Sequence, residues 1–307
     1  MEKYYFCIDV GGTETKGGII DEDNNIICQD KISSADIRKN GTLAESILEL
    51  TKLLEIKSGL SIEKSQGLGI GLPGLIDSEK GIVKFMANLN IKEYDIVKRL
   101  KKFISIPIKI ANDAELALIA EQKLGSGQAY KNFAMITLGT GVGSGLVIDG
   151  KPLRTALPFS CEIGHNFLDK HCENCIDSIA STRGLVNQTK QAMESHPESK
   201  MWSKYNLETV DGKTVFEFKD SDKIANDVFE NFIQNLGTCI TNLCNVFTPE
   251  AIIVGGGISR QDKKLTSPLE TFVNNHIFLK NINYKVKVIP AKFLNDAGIL
   301  GARCLFY

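Results

Sequence analysis

The sequence predicts an α/β fold made of two halves that share one plan. Strands and helices alternate along the 307 residues, and glycine-rich turns follow several of the strands. The opening stretch "FCIDVGGTETKGGIID" (6–21) runs as an apolar strand, a glycine turn and a second strand, and residues 133–149 repeat that outline. An internal repeat of this size indicates a duplicated fold rather than two unrelated domains.

The first half contains strands and helices in an order that suits one such domain. Alternating apolar residues predict strands over residues 4–9, 16–21, 26–31 and 108–111. A helix over 42–57 has one apolar face, formed by Leu43, Ile47, Leu50 and Leu54. The segment "NDAELALIAEQKLG" predicts a second helix, which begins at an Asn or Asp cap and ends before Gly125.

The second half repeats this alternation. Residues 133–149 predict two strands around a glycine turn, and a long helical stretch runs from Asp222 to Phe247. "PEAIIVGGGIS" (249–259) adds a strand and another glycine turn, and the tail (295–307) begins with an Asn–Asp cap and continues as a helix. We expect a small N-terminal domain of residues 1–112 and 295–307, and a larger C-terminal domain of residues 113–294.

Composition and charge exclude several classes of protein. The formal net charge is −1, from 36 Lys and Arg against 37 Asp and Glu, and this balance lacks the basic footprint of a nucleic-acid-binding protein. The N-terminal residues do not form a signal peptide, and no apolar run approaches the ~20 residues of a membrane helix. We expect a soluble cytoplasmic protein that binds neither nucleic acid nor membrane.

Three glycine turns, each after an apolar strand, predict phosphate binding. They are "DVGGT" (9–13), "LGTGVGSG" (138–145) and "VGGGIS" (254–259). Glycines let backbone N–H groups approach an anion closely, and concave arrays of such groups bind phosphate oxygens. A tight hairpin explains any one turn equally well. Three turns, two of which carry a threonine hydroxyl, are hard to explain as hairpins alone.

Two common phosphate motifs do not match. The stretch "LETVDGKT" (207–214) has Leu207 where a P-loop needs its first glycine, and it predicts a surface hairpin turn instead. After Gly139 and Gly141, Ser144 stands at the third glycine position of the dinucleotide-binding pattern. The glycine turns therefore belong to another kind of phosphate site.

The chain resembles the ROK family of sugar kinases and regulators, within the superfamily that includes actin and hexokinase. The matching segments, in the family's order, are "DVGGTETKGGIID", "GIGLPGLID", "IANDAELA", "ITLGTGVGSGLVIDGK", "CEIGH", "IIVGGGIS" and "NDAGILGA". The resemblance implies two duplicated ribonuclease H-like domains with a cleft between them. It also implies transfer of the γ-phosphate of ATP, with Mg²⁺, to the 6-hydroxyl of a hexose or hexoside.

The resemblance also narrows the substrate and the assembly. Glucose or a β-glucoside is the favoured acceptor, and an N-acetylated hexosamine is the next. We expect a homodimer, because the family commonly forms dimers.

The resemblance assigns the catalytic base to Asp113, at the start of a predicted helix whose N-terminus stabilises negative charge. Alternatively, Asp113 or Asn112 is the N-cap of that helix, and the two roles can coexist. Asp9 is expected to bind the Mg²⁺ of the nucleotide through water. The nucleotide is expected to contact Gly11, Gly12, Thr13, Gly139, Thr140, Gly141, Gly256 and Gly257.

The sugar-binding positions match the family less completely. The resemblance implies contacts from Asn88, Asn112, Asp113, Glu162, His165 and Asp177. Polyol recognition needs such a ring of donors and acceptors, since an unpaired buried hydroxyl is costly. However, Ile91 stands where the family usually has tryptophan, and Asp177 replaces a glutamate that is one methylene longer.

The zinc-binding segment of the family is altered in this chain. Leu168 and Lys170 occupy two cysteine positions of the zinc-binding members. Zinc is held by a rearranged set, or it has been lost; the rearranged set would be His165, His171, Cys172 and Cys175. We favour loss, because residues 178–186 resemble members without the zinc cysteines, some of which phosphorylate β-glucosides.

Two other functions compete with the kinase. A sugar-responsive transcription factor would need a helix-turn-helix domain before the first strand, which begins at about Tyr4, and the net charge is close to zero. A catalytically inactive sugar sensor is the second alternative. Asp113 and all three glycine turns are retained, so nothing in the sequence requires that alternative.

Overall fold

The computed structural model describes residues 3–12, 14–34, 42–154, 161–168 and 173–307, without the side chain of Asn88. The strands are β1 (Tyr4–Val10), β2 (Glu14–Asp21), β3 (Ile26–Ser33), β4 (Leu68–Leu72), β5 (Leu75–Asp77), β6 (Ile82–Met86), β7 (Ile91–Asp95), β8 (Ile108–Asn112), β9 (Phe133–Leu138), β10 (Val142–Ile148), β11 (Lys151–Pro152), β12 (Ala251–Gly255) and β13 (Lys287–Pro290). The α-helices are α1 (Leu43–Ser58), α2 (Ile96–Leu100), α3 (Asp113–Leu124), α4 (Ile176–Ala180), α5 (Thr182–Ser195), α6 (Thr214–Phe218), α7 (Lys223–Phe247), α8 (Lys263–His276) and α9 (Ala297–Cys304).

The first of two compact units is built on a five-stranded sheet with the order β3-β2-β1-β4-β8. β1 pairs antiparallel with β2 and parallel with β4, and β4 pairs parallel with β8. Helices cover both faces, because Gly17 of β2 faces Leu50 of α1 whereas its neighbour Gly18 faces Ile299 of α9. The carboxyl ends of β1, β4 and β8 therefore lie at one edge of this sheet.

The second unit repeats the same plan. Its five-stranded sheet has the order β11-β10-β9-β12-β13, with antiparallel pairing from β9 to β11 and parallel pairing of β9, β12 and β13. Helix α7 contributes to its core a row of fully buried side chains that includes Phe232, Leu236 and Ile240. Two sheets with one strand order confirm the duplication that the internal repeat predicts.

The two units divide the chain slightly differently from the predicted domains. Among the described residues, the first unit contains Lys3–Leu124, Arg154 and Asn295–Tyr307, and the second contains Gly125–Leu153 and Cys161–Leu294. The prediction places α3 in the second domain, whereas in the structure α3 groups with the first unit. The reason is close helix packing, since Gly301 of α9 lies against the backbone of α3.

The predicted helix ends are formed by specific caps. Thr42 precedes α1, and its N–H donates to the Glu45 carboxylate while the Glu45 N–H donates to Thr42 Oγ1, which is a capping box. Gly59 ends α1 in the left-handed conformation with φ 75°. Asp222 caps α7 by accepting the Ile224 N–H at 2.9 Å.

Two parts of the fold differ from the sequence predictions. A small antiparallel sheet of β5, β6 and β7 is formed by the chain segment that connects β4 to β8, and the sequence did not predict it. The surface hairpin turn predicted over 207–214 is wrong: Thr214 begins helix α6. Asp211 turns the chain there, because its carboxylate accepts the Lys213 N–H at 3.0 Å and its own N–H donates to Thr214 Oγ1 at 3.1 Å.

None of the helices in the described part of the chain has the length and apolar character to cross a membrane.

Replacing Gly301 by alanine should destabilise the protein, although alanine favours helix by about 1 kcal/mol over glycine. A Cβ at Gly301 would overlap the Leu116 carbonyl of α3, and backbone cannot rotate away as a side chain would. We expect the free energy of unfolding in urea to fall by about 1–3 kcal/mol, as overpacking does elsewhere. Gly257→Ala is the control, because a Cβ there meets open space. Equal or higher stability of Gly301→Ala would contradict the packing.

Candidate active site

The glycine turn of the first unit connects β1 to β2 and is fixed by hydrogen bonds. The Gly11 N–H donates to the Glu14 carbonyl at 3.0 Å, and a Cβ at Gly11 would lie 2.6 Å from that oxygen. Ser34, directly after the last residue of β3, donates its Oγ hydrogen to the Gly11 carbonyl at 2.7 Å. Gly12 is exposed, and Thr13 lies outside the described residues. The turn therefore exposes a residue without a side chain, Gly12, on a constrained hairpin.

Asp9 places a carboxylate beside this turn, against the start of α9. Gly298 of α9 leaves the space that the carboxylate fills, because a Cβ there would overlap it. Burial raises the pKa of Asp9 from 3.8 to about 6, although the nearby charge of Lys16 lowers it. Lys16 itself donates to the Asn295 carbonyl at 2.8 Å and to Asp296 Oδ1 at 3.1 Å. A carboxylate is the ligand type that Mg²⁺ prefers, so Asp9 suits the predicted metal role.

Asn112 and Asp113 lie where β8 ends and α3 begins. Asn112 Oδ1 accepts the N–H groups of Ala114 at 2.9 Å and Glu115 at 3.2 Å, so Asn112 is the N-cap. Its Nδ2 donates to the Gly74 carbonyl at 3.0 Å, which joins the cap to the loop after β4. Asp113 occupies the first helical position, and its Oδ1 accepts the Ala114 N–H at 2.9 Å.

The edge of the first sheet thus collects three polar groups, which lie at or directly after the ends of two strands. β1 and β8 both pair parallel with β4, so Asp9, Asn112 and Asp113 come to the same edge. The N-terminus of α3 favours an ionised carboxylate at Asp113. An ionised carboxylate is what removal of a proton from a hydroxyl requires.

The glycine turn of the second unit connects β9 to β10. The Gly139 N–H donates to the Gly141 carbonyl at 3.0 Å. The start of α5 holds this turn from behind, since Thr182 Oγ1 donates to the Leu138 carbonyl at 3.1 Å and the Arg183 N–H donates to the Gly139 carbonyl at 3.3 Å. A Cβ at Gly139 would meet no atom within 4 Å. The outer side of the turn is therefore open.

The third glycine turn follows β12, the parallel neighbour of β9. Gly256 has φ 89°, and a Cβ there would overlap the Leu138 carbonyl, so only glycine allows this close approach of the two backbones. Gly257, like Gly139, faces open space. The turns after β9 and β12 thus lie side by side at one edge of the second sheet.

The predicted sugar ligands divide between the two units. Asn112 and Asp113 belong to the first unit, as described above. Asn88 lies in the 3-10 turn Ala87–Leu89 of that unit, and its side chain is outside the described part of the structure. In the second unit, Glu162 and His165 are exposed at the two ends of a short 3-10 turn, Ile163–His165.

Asp177 lies in the second unit and points at backbone. Its Oδ1 accepts the Val142 N–H at 2.6 Å. The same carboxylate lies against Gly141 of the glycine turn and Gly164 of the 163–165 turn. The contacts of Asp177 are therefore with the chain itself.

The structure describes only His165 and Cys175 of the rearranged zinc set. His171 and Cys172 lie outside the described residues, and the structure places Cys175 at the start of α4, partly exposed. Within the residues that the structure describes, no three His, Cys, Asp or Glu side chains are arranged to hold a metal. The predicted core cysteines are confirmed, since Cys7, Cys239 and Cys244 are at most 5% exposed.

Sequence reasoning missed the side chains that hold the glycine turns. Ser34 and Thr182 carry no motif of their own, and each contacts a turn far away along the chain. One signal was available near Thr182: Ser181 is a helix N-cap, which accepts the Gly184 N–H at 3.0 Å, and "STRG" has the residue types of a helix start.

Comparisons with known proteins agree with this architecture. The family model described as "ROK family" matches residues 5–307. A glucokinase of Halalkalibacterium halodurans is 29% identical, over 98% of this chain and 94% of its own length. A β-glucoside kinase of Listeria monocytogenes is 26% identical, over 96% of this chain and 95% of its own.

The fold of this chain is also similar to that of a solved structure. It is the crystal structure of a ROK family glucokinase from Streptomyces griseus in complex with glucose and AMPPNP. The TM-score is 0.85 at 25% identity, and the match covers 98% of both chains. This match confirms the predicted fold class, an actin/hexokinase-type fold with two α/β domains.

Asp9 should make the stability of the metal-free protein depend on pH. Its folded pKa of about 6 exceeds its ordinary value of 3.8. Ionisation therefore costs stability as the pH rises from about 4 through 6, by at most roughly 3 kcal/mol at ~1.4 kcal/mol per unit. We expect Asp9→Asn to match wild type near pH 4 and to be more stable above pH 6, in urea unfolding with EDTA. A difference that stays constant from pH 4 to 7 would refute the burial of this charge.

Proposed function

Because this chain belongs to the ROK family, we propose that it transfers the γ-phosphate of ATP to the 6-hydroxyl of a hexose or hexoside. The observation that carries the proposal is the edge of the first sheet, where Asp9, the Gly11–Gly12 turn and Asp113 lie together. They would supply a carboxylate that can hold a metal, a glycine backbone that an anion can approach closely, and a base. Phosphoryl transfer requires these parts from a protein, because it depends on positioning and electrostatics more than on covalent chemistry.

In this proposal Asp113 accepts the proton of the acceptor hydroxyl as that oxygen attacks the γ-phosphorus. The bond from the γ-phosphorus to the β–γ bridging oxygen breaks, and ADP leaves. Asn112 satisfies the N–H groups of the first turn of α3, and so fixes the backbone from which Asp113 projects. The start of α3 favours the ionised form of the carboxylate before it takes the proton. Asp9 would hold Mg²⁺ through water, and the bound ion would supply positive charge beside the phosphates.

The nucleotide is assigned to the glycine turns. The backbone of Gly11, Gly12 and Thr13, and of Gly139, Thr140 and Gly141, would bind phosphate oxygens. Gly256 and Gly257 would lie beside the adenosine. Two features support this assignment: the outer faces of Gly139 and Gly257 are open, and Thr182 holds the 139–141 turn from behind.

Glucose or a β-glucoside is the proposed acceptor, ahead of an N-acetylated hexosamine. The relatives named above are a glucokinase and a β-glucoside kinase, and residues 178–186 resemble the members without zinc cysteines. Glu162, His165, Asn88 and Asn112 are the proposed sugar ligands. The exposure of Glu162 and His165 is consistent with a ligand-facing position.

A panel of sugars tests the activity directly. Purified protein with ATP and Mg²⁺ is incubated separately with glucose, methyl β-glucoside, cellobiose, N-acetylglucosamine and N-acetylmannosamine. We expect ADP release with glucose or a β-glucoside, and phosphorus–carbon coupling in NMR that locates the phosphate on carbon 6. Absence of a phosphorylated product from every sugar would refute the kinase, and a product phosphorylated elsewhere would refute the 6-hydroxyl assignment.

We also propose a cytoplasmic homodimer without structural zinc. Light scattering after gel filtration should give twice the 33.8 kDa of one chain. Elemental analysis of protein purified without chelator should give far less than one zinc per chain, whereas one zinc per chain would favour the rearranged ligand set.

Asp113→Asn should abolish most turnover without disturbing the fold. The amide oxygen of asparagine can still accept the Ala114 N–H, so the start of α3 should persist. We expect kcat to fall by about 10²–10⁴, the usual contribution of a positioned base, while AMPPNP binding stays close to wild type. Retention of wild-type kcat would exclude Asp113 as the base. Asp220→Asn, at an exposed position, is the matched control.

A further inference from the structure

One carboxylate contacts two turns of the second unit. Asp177 Oδ1 accepts the N–H of Val142, the first residue after the glycine turn 139–141, at 2.6 Å. A Cβ at Gly141 would lie 2.5 Å from Asp177 Oδ2, and a Cβ at Gly164 would overlap Oδ1. Gly164 is the middle residue of the Ile163–His165 turn. The carboxylate therefore fills the space between the glycine turn and the turn that carries Glu162 and His165.

The backbone that carries Asp177 is itself held in place. Its neighbour Ile176 and the residue that ends α4, Ala180, are both 0% exposed. The Ile176 N–H donates to the Asn166 carbonyl at 2.9 Å, directly after the 163–165 turn. The hydrogen bond from Ile176 thus fixes the Asp177 Cα next to the 163–165 turn. From there the short side chain of Asp177 reaches the Val142 N–H.

This arrangement also selects the length of the side chain. The carboxylate lies against two glycines, and neither could carry even a methyl group without overlap. A glutamate at 177 would push its carboxylate one methylene further, into the backbone of the glycine turn. The space between Asp177 and the glycine turn therefore fits aspartate, and a glutamate side chain that extends the same way does not fit.

We propose that Asp177 is a positioning residue, which sets the spacing between the glycine turn 139–141 and the 163–165 turn, and that it is not a ligand of the sugar. The proposal rests on the proposed function, which assigns phosphate to the first turn and sugar to the second. Asp177 would then hold two parts of the site at once: the backbone turn assigned to the nucleotide and the turn that carries the proposed sugar ligands. Loss of the support should weaken the binding of ATP, which a role in sugar binding alone would leave unchanged.

Three substitutions at this position separate the two roles. Asp177→Asn keeps an oxygen acceptor for the Val142 N–H, so we expect both KM values to stay within about threefold of wild type. Asp177→Ala leaves that N–H unpaired, and we expect KM for ATP to rise about tenfold or more. Asp177→Glu should resemble the alanine variant, because the longer side chain displaces the glycine turn. Glu162→Gln is the comparison, since loss of a proposed sugar ligand should raise KM for sugar alone.

A sugar ligand at Asp177 would give the opposite pattern. Asp177→Asn would then raise KM for sugar and leave KM for ATP unchanged, and Asp177→Glu would retain activity. Either result overturns the proposal.

Calorimetric binding of AMPPNP with Mg²⁺, without sugar, separates this proposal from the kinase assignment. Wild type that binds AMPPNP but phosphorylates no sugar refutes the function, and the ranking of AMPPNP affinity among the variants still decides the role of Asp177. We expect wild type and Asp177→Asn to bind alike, and Asp177→Glu to bind at least tenfold more weakly. Equal binding by wild type, Asp177→Asn and Asp177→Glu overturns the positioning role. The Asn and Glu pair decides the question even if Asp177→Ala fails to fold.

Discussion

Parallel pairing of the central strands determines where the functional groups of this chain lie. In the first unit β4 pairs parallel with both β1 and β8, and in the second unit β12 pairs parallel with both β9 and β13. The carboxyl ends of these strands therefore meet at one edge of each sheet. Parallel neighbours cannot be joined by a short hairpin, so longer connections separate them along the chain. This constraint brings Asp9 to the same edge as Asn112 and Asp113, about a hundred residues later. In the second unit it places Gly139 beside Gly256.

Both units contain a glycine at which two backbone segments approach each other closely. Gly256 lies against the Leu138 carbonyl, and Gly301 lies against Leu116 in the first unit. Polar groups then hold the turns from behind: Ser34 on the Gly11 carbonyl, and Thr182 on the Leu138 carbonyl. Backbone dipoles that are already oriented can stabilise phosphate charge without reorganising during the reaction. The turns therefore combine open outer faces with constrained inner ones.

Sequence alone predicted the parts of the fold whose apolar pattern reports burial directly. The strands around residues 6–21 and 133–149 and the long helix α7 agree with the structure to within one or two residues, because their buried faces are continuous. The small sheet of β5, β6 and β7 was missed, since its strands are short and partly exposed. Motif resemblance located Asp177, but its direction depends on Gly141 and Gly164, which the fold brings to it. The choice of Asn112 rather than Asp113 as the cap likewise needed atomic geometry.

The account depends on the backbone of the glycine turns binding the phosphates of ATP. A crystal structure of the protein with AMPPNP and Mg²⁺ measures this most directly. We expect N–H groups of the Gly11–Gly12 turn and of the Gly139–Gly141 turn to lie about 3 Å from phosphate oxygens. A nucleotide whose phosphates are bound by lysine or arginine side chains, with both turns left in contact with water, would contradict the account.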